Sequence, residues 1–185
     1  MSIFGNIQNA SISQSGPKLP DSFDGICEVV KTTVVNGFNG QAFVAEMVVH
    51  ETNLPAEAPV GYRPSWTANF KHANTAGNIL CFLGSAFGID PKTQEQQMRQ
   101  MITPQVCDLA VSEQQPVRGR FVRVTTEQIT TKSDRDFMKH FFGPSPKTFP
   151  SRINDANVAP TATAAPAMPS VPVAMPTMPG GFQPP

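Results

Sequence analysis

Gly61-Tyr62-Arg63-Pro64-Ser65-Trp66-Thr67-Ala68-Asn69-Phe70-Lys71 is the most regular alternation in the chain. Tyr62, Pro64, Trp66, Ala68 and Phe70 fall on one side. Arg63, Ser65, Thr67, Asn69 and Lys71 fall on the other. A period of two with one apolar and one polar side predicts a half-buried strand over 61–71. Two strands precede it. Residues 26–35 are rich in Val, Ile and Thr. Asn36-Gly37-Phe38-Asn39-Gly40 then tolerates positive φ and makes a hairpin turn. Residues 41–52 return, with Phe43, Ala45, Met47 and Val49 on one face and Val44, Glu46, Val48 and His50 on the other.

Downstream the pattern changes. Asn74 or Thr75 can cap a helix over 76–87 that Gly88 ends, and its apolar run of Ile79, Leu80, Phe82, Leu83 and Phe87 suits a core plug. Pro91, with Asp90 as cap, starts a polar helix over 91–101. Residues 103–115 carry a weaker helical signal around 106–111. Strands follow at 117–126 and 136–142, joined by a turn at 128–135, and Gly143-Pro144-Ser145-Pro146 ends the last one. Three strands, a helical insert and two more strands predict a mainly β fold. The order suits a closed five-stranded Greek-key barrel of the OB type, with the helical insert between strands three and four. A β-sandwich with an added helix is the alternative.

Nineteen prolines among 185 residues are unevenly spread. Eight lie between Asn154 and Pro185, where Asp155 is the only charge, and each removes a helical donor. The organisation expected is a loose arm over 1–21, a folded domain over 22–150, and an extended Pro/Ala/Met-rich tail over 151–185. The N-terminus lacks the basic start and apolar run of a signal peptide, and no stretch approaches the roughly 18 apolar residues of a membrane span. Cys27, Cys81 and Cys107 are odd in number and far apart, so they read as free thiols. These features predict a soluble cytoplasmic protein without a membrane partner.

Formal charge is zero overall but segregated. Residues 1–116 hold six basic and ten acidic side chains, whereas 117–152 hold eight basic and three acidic. The basic segment also holds Phe121, Phe137, Phe141, Phe142 and Phe149. Cations for phosphates and flat rings for unstacked bases are what a single-stranded nucleic acid requires. An ordinary strand edge, with core phenylalanines and solvated cations, gives the same pattern. Candidate DNA-binding residues are Arg63 and Lys71 on the polar side of the alternating strand, and Trp66, which is either a base platform or core. Val122 and Val124 suit the interior, which turns Phe121 and Arg123 outward as a ring and cation pair. Arg118 and Arg120 stand at the start of that strand, Lys132 and Arg135 in the last hairpin, and Lys139 on the last strand. Which face of that last strand is buried stays open.

Val60-Gly61-Tyr62-Arg63-Pro64-Ser65-Trp66, Ala76-Gly77-Asn78-Ile79 leading to Phe82, Arg120-Phe121-Val122-Arg123-Val124, and Thr130-Thr131-Lys132 followed by Phe137 and Phe141 together resemble bacteriophage single-stranded-DNA-binding proteins of OB fold. The resemblance spans about residues 23–142. It implies sequence-independent coating of single strands during phage DNA replication or recombination, in the host cell cytoplasm. Many members end in an acidic tip with a terminal Phe that docks replication proteins. Here the end, Met178-Pro179-Gly180-Gly181-Phe182-Gln183-Pro184-Pro185, has no acid, so replication or recombination proteins would have to bind the tail through apolar contacts.

Catalytic readings are weak. His50, His72 and His140 stand apart, as do the cysteines, so no zinc pattern is present. The phosphate-binding loop and the nucleophile elbow are missing. Asp134 and Asp136 beside Arg135 hint at a metal-dependent nuclease but suit a salt-balanced turn better. No enzyme activity, cofactor or metal is expected. A phage structural or assembly protein is the alternative function.

Overall fold

The computed structural model describes residues 17–37, 40–130 and 136–154. Five strands and three helices alternate as expected: β1 (Asp24–Gly37), β2 (Gly40–Thr52), β3 (Ser65–Asn69), α1 (Thr75–Ala86), α2 (Glu95–Met101), α3 (Pro104–Ala110), β4 (Phe121–Thr130) and β5 (Asp136–Pro144). The strands form one antiparallel sheet in the order β3-β2-β1-β4-β5. The fold is therefore mainly β, with a sheet that is open at β3 and β5, where a fully closed ladder was expected.

The sheet is strongly curled. In a flat sheet, four steps of about 4.8 Å would hold β3 and β5 about 19 Å apart. Yet the Trp66 ring on β3 and the Phe142 ring on β5 meet at 4.7 Å. Phe82 of α1 packs against both, at 5.5 and 5.2 Å. The two ends are thus joined by aromatic packing and by α1, which touches β3, β4 and β5. Two register shifts in the β1–β2 pairing, between Ile26 and Cys27 and between Val29 and Lys31, supply bends of the kind bulges produce.

Curling sorts the alternating residues into an inner and an outer set. Cys27, Val29, Phe43, Ala45, Met47, Val49, Trp66, Ala68, Val122, Val124 and Phe142 join Ile79, Phe82, Leu83 and Ala86 of α1 in the core. The faces expected for β2 and β4 are the observed ones. On β5 the open question resolves by pairing: Val124 opposes Phe142, and Glu127 opposes Lys139. Phe142 is therefore inward, and Phe137, Lys139 and Phe141 are outward. Burial pushes the Cys27 thiol up to about 12.

Several boundaries differ from expectation for local reasons. The β3 ladder starts at Ser65 rather than 61, after Gly61 at φ +90° and Pro64. The α2 helix starts at Glu95 because Asp90 first closes a turn, accepting from the Lys92 amide at 2.9 Å. Thr103 caps α3 in place of a vague helical region. Past α3, the Gln115 side chain brackets Thr32 of β1, accepting from its amide at 2.8 Å and donating to its carbonyl at 2.7 Å. The β4 ladder starts at Phe121 rather than 117, since residues 117–120 form a tight turn against Val29.

Both domain ends reach further than expected. In place of a loose arm, residues 17–21 cross from β3 to β4. Ser65 donates to the Pro17 carbonyl at 2.9 Å, Leu19 enters the core, and Thr126 donates to the Pro20 carbonyl at 2.6 Å. At the other end, residues 145–153 run back as a strap over the outer sheet face. Lys147 pairs with Glu51 at 2.7 Å. Phe149 rests on His50 and Phe121, with ring centroids at 5.2 and 5.7 Å. Ser151 Oγ and the Arg152 amide (2.8 Å) donate to Glu28, a side chain with no exposure at all. His50 Nε2 lies 2.8 Å from the same carboxyl. A buried carboxylate is costly unless hydrogen-bonded, so Glu28 holds the strap down by its need for donors.

Phe82→Ala removes the ring between the sheet ends and is expected to cost about 3–5 kcal/mol in urea unfolding. A loss below about 1 kcal/mol would show that the ends hold without it. Glu28→Gln keeps the shape but turns an NH2 toward a donor. It is expected to cost about 2–3 kcal/mol and to open the strap to proteolysis. An unchanged midpoint would contradict the keystone role of that carboxyl.

Candidate nucleic-acid interface

The outer sheet face carries five of the ten expected site residues, Arg63, Lys71, Phe121, Arg123 and Lys139, in two wings with the strap between them. The first wing is the β2–β3 side. Antiparallel pairing sets Val44 beside Thr67 and Glu46 beside Ser65, with Lys31 opposite Glu46 on β1. Arg63 and Lys71 are exposed at its two ends. The polar side read from 61–71 is therefore the outer one. Lys71 lies against the hairpin turn: a Cβ at Gly40 would meet Lys71 Cε at 3.1 Å. Gly40 itself sits at φ +97°, which the turn requires and a side chain disfavours.

Trp66 is not part of this surface. It is 5% exposed and ringed by Phe43, Phe82 and Phe142, so it is core and not a base platform. Phe70, expected inward beside it, is instead 46% exposed, because it lies past the end of β3.

The second wing is β4–β5. Lys139 lies 4.7 Å above the Phe141 ring, and Phe137 is exposed further along β5. Phe121 and Arg123 do face outward, as expected, but neither stands free. Phe121 is half-buried beneath His50 (5.2 Å) and Phe149. Arg123 grips Asp24 with two bonds, Nε to Oδ1 at 2.8 Å and an Nη to Oδ2 at 2.6 Å. Its charge is answered locally, which removes it from the set of free phosphate partners. Lys132 and Arg135 lie outside the described residues, as does Asp134.

Four arginines gather where the strap ends. Arg63 donates to the Arg152 carbonyl at 3.1 Å. Arg118 and Arg120, both exposed, flank Gly119, where a Cβ would lie 3.9 Å from Ile153 Cδ1 and 4.0 Å from Glu28 Oε1. Arg152, Phe149 and His50 were not singled out in the sequence. Only the basic composition of 117–152 pointed toward the first two, and His50 had no signal beyond its outward parity on β2.

Among the described residues no group of three or more His, Cys, Asp or Glu is gathered as a metal would need. No described helix is long and apolar enough to cross a membrane.

The Asp24–Arg123 pair sets a pH dependence. The hydrogen bond from Arg123 holds the Asp24 carboxyl below its ordinary 3.8, against the opposing pull of burial and with the guanidinium charge adding to the bond. A depressed carboxyl pKa stabilises the fold above the ordinary value, and that stabilisation is lost as pH falls through the lower folded value. Both side chains are well exposed, so the effect on overall stability is small. Arg123→Ala is expected to raise the Asp24 titration toward 3.8 in a carboxyl-detected NMR titration. An unchanged titration would show that the pair is not what depresses it.

Compared with known proteins, the chain matches no family model and no curated protein.

Proposed function

We propose that the protein is a non-catalytic OB-type barrel that binds single-stranded DNA with little regard for sequence, in support of phage DNA replication or recombination. The observation that carries this reading is the curled five-stranded sheet whose outer β3 edge is polar and flanked by Arg63 and Lys71. In partly open OB barrels, the face of strands two and three and the loops joining strands one to two and four to five hold oligonucleotides. The corresponding loops here are the turn at Gly37–Gly40, against which Lys71 lies, and the β4–β5 connection that holds Lys132 and Arg135 in sequence.

The division of labour follows from charge. Exposed cations at Arg63, Lys71, Arg118, Arg120 and Lys139 attract a phosphate backbone, and counterion release then dominates affinity. The exposed Thr67 hydroxyl offers a hydrogen bond that does not depend on base identity. Phe141 under Lys139 offers a ring for stacking. The Pro-rich tail is proposed to reach replication or recombination proteins.

Trp66 is buried, so a labelled oligonucleotide is the better reporter than tryptophan emission. Fluorescence anisotropy with labelled oligo(dT) is expected to show binding whose log K falls with log salt at a slope of about −0.7 per phosphate neutralised. Lys71→Ala should make that slope shallower by about 0.7 without a change in melting temperature. Salt-insensitive binding, or preference for duplex, would contradict the reading.

A further inference from the structure

The strap does more than cover the sheet. Beside it lies an open cleft of about 230 Å³ lined by His50, Phe149, Pro150, Ser151 and Arg152. Its wall is the half-buried Phe149 ring, backed by the His50 ring, whose side chain is only 2% exposed and lies tilted 40° to it with centroids 5.2 Å apart. Its rim carries the exposed Arg152. The backbone amide of Arg152 is spent on Glu28 and its carbonyl on Arg63, but its guanidinium holds no hydrogen bond among the described residues. The Arg63 guanidinium is brought to the same rim by its bond to that carbonyl.

The electrostatics of the cleft favour an anion. Glu28 lies directly behind the strap, yet it is fully buried and faced by Ser151 Oγ, the Arg152 amide and His50 Nε2. Its negative charge is met by three donors before it reaches the cleft. Glu51 is likewise taken by Lys147. What remains at the rim is positive, with Arg118 and Arg120 flanking Gly119 at the strap's far end. Because Glu28 pins the backbone at residues 151–152, the Phe149 ring and the chain path at Arg152 are set before any ligand arrives, and that part of the ordering cost is met in folding.

We propose that this cleft is a nucleotide subsite: one base of a single DNA strand stacks against Phe149 beside His50, while its phosphate meets the guanidinium groups of Arg152 and Arg63. This rests on the reading of the protein as a single-strand binder and adds a site on the strap, outside the β2–β3 face. A flat ring with a cation one side chain away is the minimal recognition unit for an unpaired nucleotide, and it carries no preference for one base. The site also gives the four arginines a common purpose, since a strand leaving the cleft toward β3 passes Arg63 and one leaving toward β4 passes Arg118 and Arg120.

The test uses the full chain and labelled oligo(dT). Arg152→Ala keeps both backbone bonds that anchor the strap. It is expected to weaken binding several-fold and to make the salt slope shallower by about 0.7. Phe149→Leu keeps an apolar anchor but loses the stacking plane. It is expected to weaken binding roughly tenfold with the slope unchanged. Lys92→Ala, in the turn before α2, should leave affinity unchanged. Photo-crosslinking of 5-iodouracil-substituted oligo(dT) to the wild-type chain should mark the peptides bearing His50 or Phe149, a readout that does not depend on how either variant folds. If the wild-type chain binds oligo(dT), yet both variants match it and crosslinks map elsewhere, the subsite is overturned and the single-strand reading stands. If the wild-type chain binds no oligo(dT), both fall.

Discussion

The rings of Trp66 and Phe142 meet at 4.7 Å although they belong to the two ends of the sheet. That contact, wedged by Phe82 of α1, forces the sheet to curl, and curling decides the role of the other side chains. Inward positions on all five strands share one apolar core. Outward positions carry a mixed set, with Thr67, Glu46, Lys139 and Arg123 beside Val44, Phe137 and Phe141, and the strap covers only the middle of them. A flat sheet with the same sequence would leave its inner apolar face open to water, at about 25 cal/mol for each Å² exposed. The position of the candidate surface is therefore a consequence of core closure.

The second constraint is electrostatic and acts on the outer face. Glu28 sits at the middle of β1, between Val48 on β2 and Phe121 on β4. A carboxyl there can be buried only if donors come to it, and the sheet offers His50 alone. The rest come from residues 151 and 152, more than 120 positions later in the chain. A buried polar cluster of this kind contributes less to net stability than to specifying one arrangement. Here that arrangement is the path of the strap. Its consequence is that the Phe149 ring and the backbone of Arg152 are set at fixed places on the face where Arg63 also lies.

Much of this was legible in residue order, and the exceptions share a cause. Alternation alone grouped Phe43, Met47 and Val49 on one face, and set Val122 and Val124 inward and Thr67 and Arg123 outward, since a period of two needs only local sequence. Strand order and the helical insert were legible from turn residues and caps. Misplaced details are those decided by distant partners. The Asp24–Arg123 bond joins residues 99 apart, and no local signal marks Arg123 as neutralised. The fate of Glu28 depends on a strap that reads, by composition, as the start of a tail. Residues 17–21 look like part of an arm until Ser65 and Thr126 claim their carbonyls. The role of Trp66 turned on whether an apolar stripe faces a core or a ligand, a choice that needs the third dimension.

We propose that a single DNA strand lies along the outer sheet face, past the strap. Mapping amide shifts in a two-dimensional ¹H–¹⁵N NMR titration of the full chain with oligo(dT) tests it most directly. The amides of Arg63, Thr67, Lys71, Lys139 and Arg152 are expected to move together with added DNA while the Trp66 indole and the amides of Phe82 and Met98 hold still. Shifts confined to α2 and α3, or none at saturating oligo(dT), would contradict it.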